Sequence, residues 1–193
     1  NPADDSGQDA VSYDDAESGV TVNLTISGAQ DTGAAGLDTL VNVTGIVGSE
    51  YADRLTGNAT DNILMGLAGD DVIEGGAGDD VIVGGDGFDF VSYAAATTPV
   101  FVNLGLGWKQ ETGDSTGWDD ISGVEGIIGS AHNDVLTGND EDNILIGGLG
   151  ADEFDGGGGI DTVSYQSAAQ GVTVNLGAPA ANTGEALGDT FSG

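Results

Sequence analysis

Residues 66–83 read GLAGDDVIE (66–74) followed by GGAGDDVIV (75–83), two copies of one nine-residue unit. Each copy opens with a glycine-rich stretch of six residues that ends in Asp, then closes on three residues centred on an aliphatic. Working outward, five such units fill 48–92 and four more fill 129–164, with Asp or Asn always in sixth place. A fixed short period of this kind is the mark of a solenoid, in which each repeat buries its apolar face only against its neighbours.

The unit itself predicts the local structure. Three-residue strands alternate with six-residue turns, so two units make one coil of 18 residues. The central aliphatics point inward: Leu55, Leu64, Ile73, Ile82 and Val91 in the first array, Leu136, Leu145, Phe154 and Val163 in the second. Side chains alternate across a strand, so Ile63, Val72, Val81, Val83, Phe90 and Ile144 face outward. They form either a lateral surface for self-association or the scattered exposed aliphatics that any soluble protein carries.

A larger period encloses the arrays. Val-Ser-Tyr recurs at 11–13, 91–93 and 163–165, each time followed by a Val-x-Val-Asn-Leu stretch (20–24, 100–104, 172–176), a Thr-Gly pair and Asp38, Asp119 or Asp189. The expected organisation is therefore the end of an array at 1–12, an inter-array β segment at 13–47, a roll of five units at 48–92, a second β segment at 93–128, a roll of four units at 129–164 and the start of a third β segment at 165–193. The chain begins without Met and stops at Gly193 just before another array is due, so it is expected to be part of a longer protein. Val20/Val22/Leu24, Val100/Val102/Leu104 and Val172/Val174/Leu176 alternate as strands do. The segments either continue the solenoid as wider coils or cap it; continuation is favoured, because Ser12 to Gly48 spans twice the coil length. No stretch has helical periodicity. The fold class is all-β: parallel β-solenoid arrays joined by β segments that lack the nine-residue unit.

Composition narrows the partners. The chain of 193 residues carries 33 acidic groups against two basic ones, for a formal charge of −31. Nucleic acid and anionic membrane surfaces both demand Lys and Arg, so neither is a partner, and no apolar run is long enough to insert in a membrane. The regular apolar positions argue against disorder, and 25 of the 33 acids are Asp, the residue of tight turns and hard-cation sites. Cysteine is absent, so thiolate sites and disulfides do not arise.

Residues 18 apart stack on one edge of a coil. The sixth positions then pair as Asp53 with Asp71, Asn62 with Asp80, Asp71 with Asp89, Asp134 with Asp152 and Asn143 with Asp161. Glycines at the first, second and fourth places permit unusual turn conformations and direct main-chain carbonyls at the gap between coils. Carboxylates with carbonyls, and no nitrogen or sulfur, describe a site for calcium rather than zinc, copper or magnesium. Several ions are expected. The candidate ligands are these nine sixth-position residues with the carbonyls of Gly66, Leu67 and Gly69, of Gly75, Gly76 and Gly78, of Gly84, Gly85 and Gly87, of Gly147, Gly148 and Gly150, and of Gly156, Gly157 and Gly159, where Asp80, Asp89 and Asp161 complete the best units. Asp71/Asp89 is the strongest expected pair and the Asn62 and Asn143 pairs weaker ones. Asp61 and Asp142 either substitute for those asparagines or bond turn amides. Asp9, whose partner would lie before the chain, binds nothing. Two carboxylates about 5 Å apart repel by about 3 kcal/mol at an effective dielectric near 20. Metal binding and folding are thus expected to be one event.

The nine units resemble the RTX (hemolysin-type calcium-binding) repeats of bacterial proteins exported by type I secretion. The resemblance covers 48–92 and 129–164, and the flanking Val-Ser-Tyr blocks resemble inter-array segments of multi-array members. It implies a right-handed parallel β-roll with Ca2+ between turns, and carbonyl ligation at Gly75, Gly76 and Gly78, at Gly84, Gly85 and Gly87, and at Gly156, Gly157 and Gly159. It also implies export as an unfolded chain and folding in the calcium outside the cell, so a secreted or cell-surface location. The first two units of each array depart from the pattern.

No enzyme is expected. His132, the single histidine, falls in a turn; there is no His-Glu-x-x-His; and Ser12, Ser92 and Ser164 have no base at hand. Two function classes remain open. One is a calcium-rigidified spacer or assembly segment of a larger surface protein, an S-layer-like protein, filament or adhesin. The other is a carbohydrate-binding or folding-assist module of a secreted polysaccharide-modifying enzyme, with Tyr93, Trp108 and Trp118 as sugar contacts. For the two tryptophans, packing is the favoured explanation.

Overall fold

The computed structural model describes residues 9–192. Residues 1–8 of the expected first array end, and Gly193, lie outside the described residues. Strand dominates: nineteen strands of two to six residues, and two short 3₁₀ turns at Pro179–Ala181 and Gly184–Ala186. The molecule is a parallel β-roll.

Strand pairing follows the 18-residue coil. On one face, Gly45–Val47, Ile63–Ala68 and Val81–Asp86 stack in parallel with Ile46 opposite Leu64 and Leu64 opposite Ile82. On the other face, Arg54–Thr56, Val72–Glu74 and Phe90–Ser92 stack with Leu55 opposite Ile73 and Ile73 opposite Val91. The second array repeats this, with Leu136 opposite Phe154 and Leu145 opposite Val163. Most array strands are three residues long; Ile63–Ala68 and Val81–Asp86 run on through the glycine that opens the next unit.

The inter-array segments are themselves coils. Ala10–Ser12 pairs directly with Gly45–Val47, so the 35 residues between Val11 and Ile46 make a single turn of the roll. Likewise Val91 lies opposite Ile127 and Val102 opposite Leu136. The extra length folds out as antiparallel hairpins, Gln30–Asp31 with Leu37–Asp38 and Gln110–Gly113 with Gly117–Ser122. A glutamine joins each hairpin to the adjacent strand in the manner of a peptide group. Gln110 accepts from the Asn103 amide at 2.8 Å and donates to its carbonyl at 3.0 Å, and Gln30 does the same for Asn23.

One core therefore runs through both arrays. Leu55, Leu64, Ile73, Ile82, Val91, Leu136, Leu145 and Phe154 are buried, as their place in the unit predicts, together with Val20, Val22, Ile46, Val100, Val102, Ile121, Val124 and Ile127 of the wide coils. Val163 is only half-buried at the end of its sheet. The expected strand at 172–176 is a correction. It forms only an isolated bridge between Thr173 and Thr183, with Val174 and Leu176 exposed. The matching strands Thr21–Asn23 and Phe101–Asn103 each have a parallel neighbour in the next array, and 172–176 has none among the described residues.

With one aliphatic per unit, each core position is exacting while its outward neighbours are not. Ile73→Ala should cost about 2–5 kcal/mol, as deletion of a fully buried aliphatic does. Val72→Thr, one residue away on the outer side, should stay within about 0.5 kcal/mol. Urea midpoints at saturating calcium check both; equal effects would refute the inward/outward assignment.

Candidate metal centres between the coils

The sixth-position residues form files along the roll edges, each linked to the coil before it through the main chain. An Oδ1 of Asp71 accepts from the Asp53 amide at 2.7 Å, Asp80 from Asn62 at 2.8 Å and Asp89 from Asp71 at 2.8 Å. In the second array Asp152 accepts from Asp134 and Asp161 from Asn143, both at 2.9 Å. The expected pairs thus stack, but their carboxylates do not confront each other across a gap. A backbone N–H stands between them, one oxygen of each upper carboxylate being spent on it.

The second oxygen divides the file in two. Asp71, Asp80, Asp89 and Asp152 each leave Oδ2 buried with no hydrogen-bond partner. In the opening units the protein satisfies it: the Ser49 amide donates to Asp53 Oδ2 and its hydroxyl to Oδ1, while the Ser130 amide donates to Asp134 Oδ2 and its hydroxyl to both oxygens. The asparagines satisfy themselves. Asn62 accepts from the Asn58 amide and donates to the Thr44 carbonyl, and Asn143 accepts from Asn139 and donates to the Glu125 carbonyl. Asp161 is half-buried at the end of its file. Asp61 and Asp142 accept from the Asp79 and Ile160 amides of the following coil, the bond that the turn-amide alternative expects. Asp9 is exposed and uses its carbonyl to receive the Thr44 and Gly45 amides.

The glycines shape the space around the free oxygens. A Cβ on first-position Gly66, Gly75, Gly84, Gly147 or Gly156 would overlap the sixth-position carboxylate of its own unit. These positions need room rather than left-handed backbone, which corrects the expectation for the first place. At the second and fourth places the backbone does turn left-handed, at Gly85 with φ +128° and Gly78 with φ +112°. Leu67 holds the same conformation at φ +84°, at a cost of about 1–2 kcal/mol for a residue with a side chain. A Cβ on Gly85 or Gly87 would meet the carbonyl of Leu67 or Gly69, one on Gly148 or Gly150 the carbonyl of Ser130 or His132, and one on Gly157 or Gly159 that of Asn139 or Glu141. The Gly84 carbonyl lies with Asp71 Oδ2 over Gly66. Carbonyls from the coil below and above, together with an orphaned carboxylate oxygen, therefore share the gap between 66–71 and 84–89. Among the described residues no three Asp, Glu, His or Cys side chains converge on one point. A cation here must draw on main-chain oxygens, the donor set that suits calcium.

Burial sets the electrostatics. The Asp71, Asp80 and Asp152 carboxyls are pushed up to about 7, first by desolvation and only then by neighbouring acids. Asp89, Asp119, Asp134 and Glu125 are raised for the same leading reason. The expectation that mutual repulsion dominates is thereby corrected: removing a carboxylate from water outweighs its like-charged neighbour, because the intervening amide hydrogen bond offsets part of the repulsion.

Three acids outside the units complete the files. Asp119 accepts from the Asp80 amide at 3.0 Å, Glu125 from the Asp89 amide at 2.9 Å and Asp189 from the Asp152 amide at 2.8 Å. Asp119 is held in turn by the Tyr93 hydroxyl at 2.8 Å and Thr112 at 2.9 Å, Asp38 by Tyr13 and Thr32, and Asp189 by Tyr165. Burial, with the facing carboxylate second, raises the Tyr13 phenol to about 12 and Tyr93 well above its usual range, so both remain donors. The recurrence of Asp 24 to 26 residues after each Tyr was the signal that could have identified these acids. Tyr93 is 3% exposed and cannot contact a sugar. Trp108 and Trp118 are not packed, as favoured from sequence, but exposed at 65% and 49%, beside exposed Phe101 on an open groove that also includes Asn103, Gln110 and Thr137.

Residues 46–66, 56–91 and 128–163 match the family model of the RTX calcium-binding nonapeptide repeat, in four copies. The two arrays are similar to RTX calcium-binding nonapeptide repeats. Such repeats bind Ca2+, and two arrays of them hold several ions. No curated protein matches the chain. The match and the orphaned oxygens agree in chemistry: buried carboxylate oxygens without a protein donor, beside main-chain carbonyls, are the donor set that suits a hard cation such as calcium.

In metal-free solution the raised carboxyl pKa values make the roll bind protons more tightly than the unfolded chain, whose carboxyls titrate near 4. The penalty for these charges is full above about pH 7 and fades as pH falls toward 4. The metal-free chain, unfolded at pH 8, should therefore gain β structure as the pH falls, with the gain beginning below the pH of about 7 set by Asp71, Asp80 and Asp152 and continuing toward pH 4. Far-UV circular dichroism in calcium-depleted buffer reads this directly. A β signal that does not change between pH 8 and pH 5 would show that these carboxylates are not desolvated.

Proposed function

We propose that the chain is a segment of a larger secreted or cell-surface protein that folds on Ca2+ outside the cell and then serves as a rigid spacer or assembly element. The observation that carries this is the file of buried carboxylate oxygens with no protein partner, set in RTX arrays along a single continuous core. The sixth-position aspartates and the carbonyls of the first-, second- and fourth-place residues hold the ions. Bound calcium neutralises the buried carboxylates and ties successive coils together, while the Asp-to-amide bonds set the coil spacing. In calcium-poor cytoplasm such a chain stays unfolded and exportable; in the millimolar calcium outside, it locks. Its partners are calcium and neighbouring repeats of the same parent protein. No catalytic role belongs to this reading, and the repeat family is a structural one.

A spacer must have fixed dimensions. Small-angle scattering in chelator should give a radius of gyration of about 45 Å, the value for an unfolded chain of this length. Calcium should bring it below about 20 Å, and magnesium at the same concentration should not. An unchanged radius would remove the folding switch from this proposal.

The exposed groove at Phe101, Trp108 and Trp118 favours a second reading, attachment to a neutral polysaccharide, since aromatic faces beside amide and hydroxyl groups suit sugar rings. Titrating soluble neutral glucans and mannans against tryptophan fluorescence of the calcium-loaded chain tests it; no shift in emission across the series eliminates it.

A further inference from the structure

The orphaned oxygens do not follow the repeats. Of the four, only Asp71 has a sixth-position Asp of the same array above it, Asp89. Above Asp80 stands Asp119, above Asp89 stands Glu125 and above Asp152 stands Asp189. All three lie outside the residues that match the repeat model. In the opening turns, which the repeat pattern would count as sites, the Ser49 and Ser130 amides instead donate to Oδ2 of Asp53 and Asp134, and the side-chain amides of Asn62 and Asn143 donate to carbonyls.

We propose that calcium is bound across the C-terminal boundary of each array, between its last turns and the wide coil that follows, and that Glu125 is a ligand of one such junctional ion. This rests on the calcium-folding reading above and deepens it. The gap above Asp89 shows the geometry. Asp89 is fully buried, and its Oδ2 has no partner. The Gly123 carbonyl of the wide coil lies with that oxygen over Gly84, where any Cβ would overlap the carbonyl and crowd the carboxylate. Glu125 enters the same gap from above. One carboxylate oxygen is fixed by the Asp89 amide at 2.9 Å, and the chain around it is pinned because the Glu125 and Gly126 amides both donate to the Asp89 carbonyl. The unpartnered Asp89 Oδ2 and the Gly123 carbonyl thus share one gap, and the Asp89 amide brings the Glu125 carboxylate to its edge from the coil above.

The same logic explains why the wide coils sit where they do. A junctional ion couples each array to the next segment, so the arrays cannot fold as independent beads. Asp119 and Asp189 occupy the corresponding places over Asp80 and Asp152, each braced by a tyrosine hydroxyl.

The test is calcium stoichiometry on the full chain, by equilibrium dialysis with radioactive calcium, for wild type, Glu125→Gln and Glu17→Gln. Glu17 is exposed and makes the same charge change away from the gap. Glu125→Gln should lose one ion, or weaken one site at least tenfold, while Glu17→Gln matches wild type. Full stoichiometry and affinity in Glu125→Gln would overturn the junctional site while leaving the calcium module intact. A wild type that binds no calcium would overturn the module and the site together. Circular dichroism at saturating calcium confirms that each variant folds. If Glu125→Gln does not, Glu125→Asp keeps the charge and withdraws the oxygen by one methylene; an unweakened site there would likewise overturn the proposal.

Discussion

The fold depends on a carboxylate with two unequal oxygens. One oxygen of each buried sixth-position Asp receives the amide of the coil below, and this repeated bond, 2.7 to 2.9 Å long within the arrays, sets the stacking of the roll. The other oxygen has nothing to receive in four cases. A desolvated carboxylate in that condition is costly by itself, so the interaction that builds the roll also leaves it incomplete. The core cannot carry the difference easily, since each unit adds one inward aliphatic. A cation that charges the gap positively completes the carboxylate and stabilises both coils at once.

The wide coils use the same bond with different residues. Their Asp or Glu caps an amide of the preceding array, and a tyrosine or threonine hydroxyl donates to the remaining oxygen of Asp38 and Asp119. Where a hydroxyl is available the carboxylate is complete without metal. Where it is not, as at Asp89 beneath Glu125, the gap stays polar and open. Protein donors, a hydroxyl at Asp38 and Asp119 and a turn amide at Asp53, thus meet the second oxygen in some turns and not in others. The Lys109–Asp79 ion pair at the hairpin, half-exposed on both sides, adds little to this.

Much of this was legible in the sequence. A period of nine with one central aliphatic dictated the 18-residue coil, and eight of the nine predicted inward residues are buried, from Leu55 to Phe154. The stacked pairs of sixth-position residues were also visible. Their detailed geometry was not, because it depends on the direction of each Oδ atom and on the amide between the pair. Asp119, Glu125 and Asp189 escaped the 18-residue rule because 39, 36 and 37 residues separate them from the acids they cover. Ser49 and Ser130 stand where the unit otherwise has glycine, and in the fold their amides and hydroxyls together satisfy both oxygens of Asp53 and Asp134. The exposure of Trp108 and Trp118 could not be read from spacing, since it is set by how the hairpin at Gln110–Ser122 leaves the roll.

The most direct measurement is a calcium titration of the whole chain followed by far-UV circular dichroism, with magnesium as the control. The account predicts little ordered structure in chelator, a cooperative gain of β signal at about 0.1–1 mM calcium, the range of weak extracellular sites, and no comparable gain with magnesium. A chain that already shows its full β signal in chelator at neutral pH would contradict it, since the buried Asp oxygens would then need no cation.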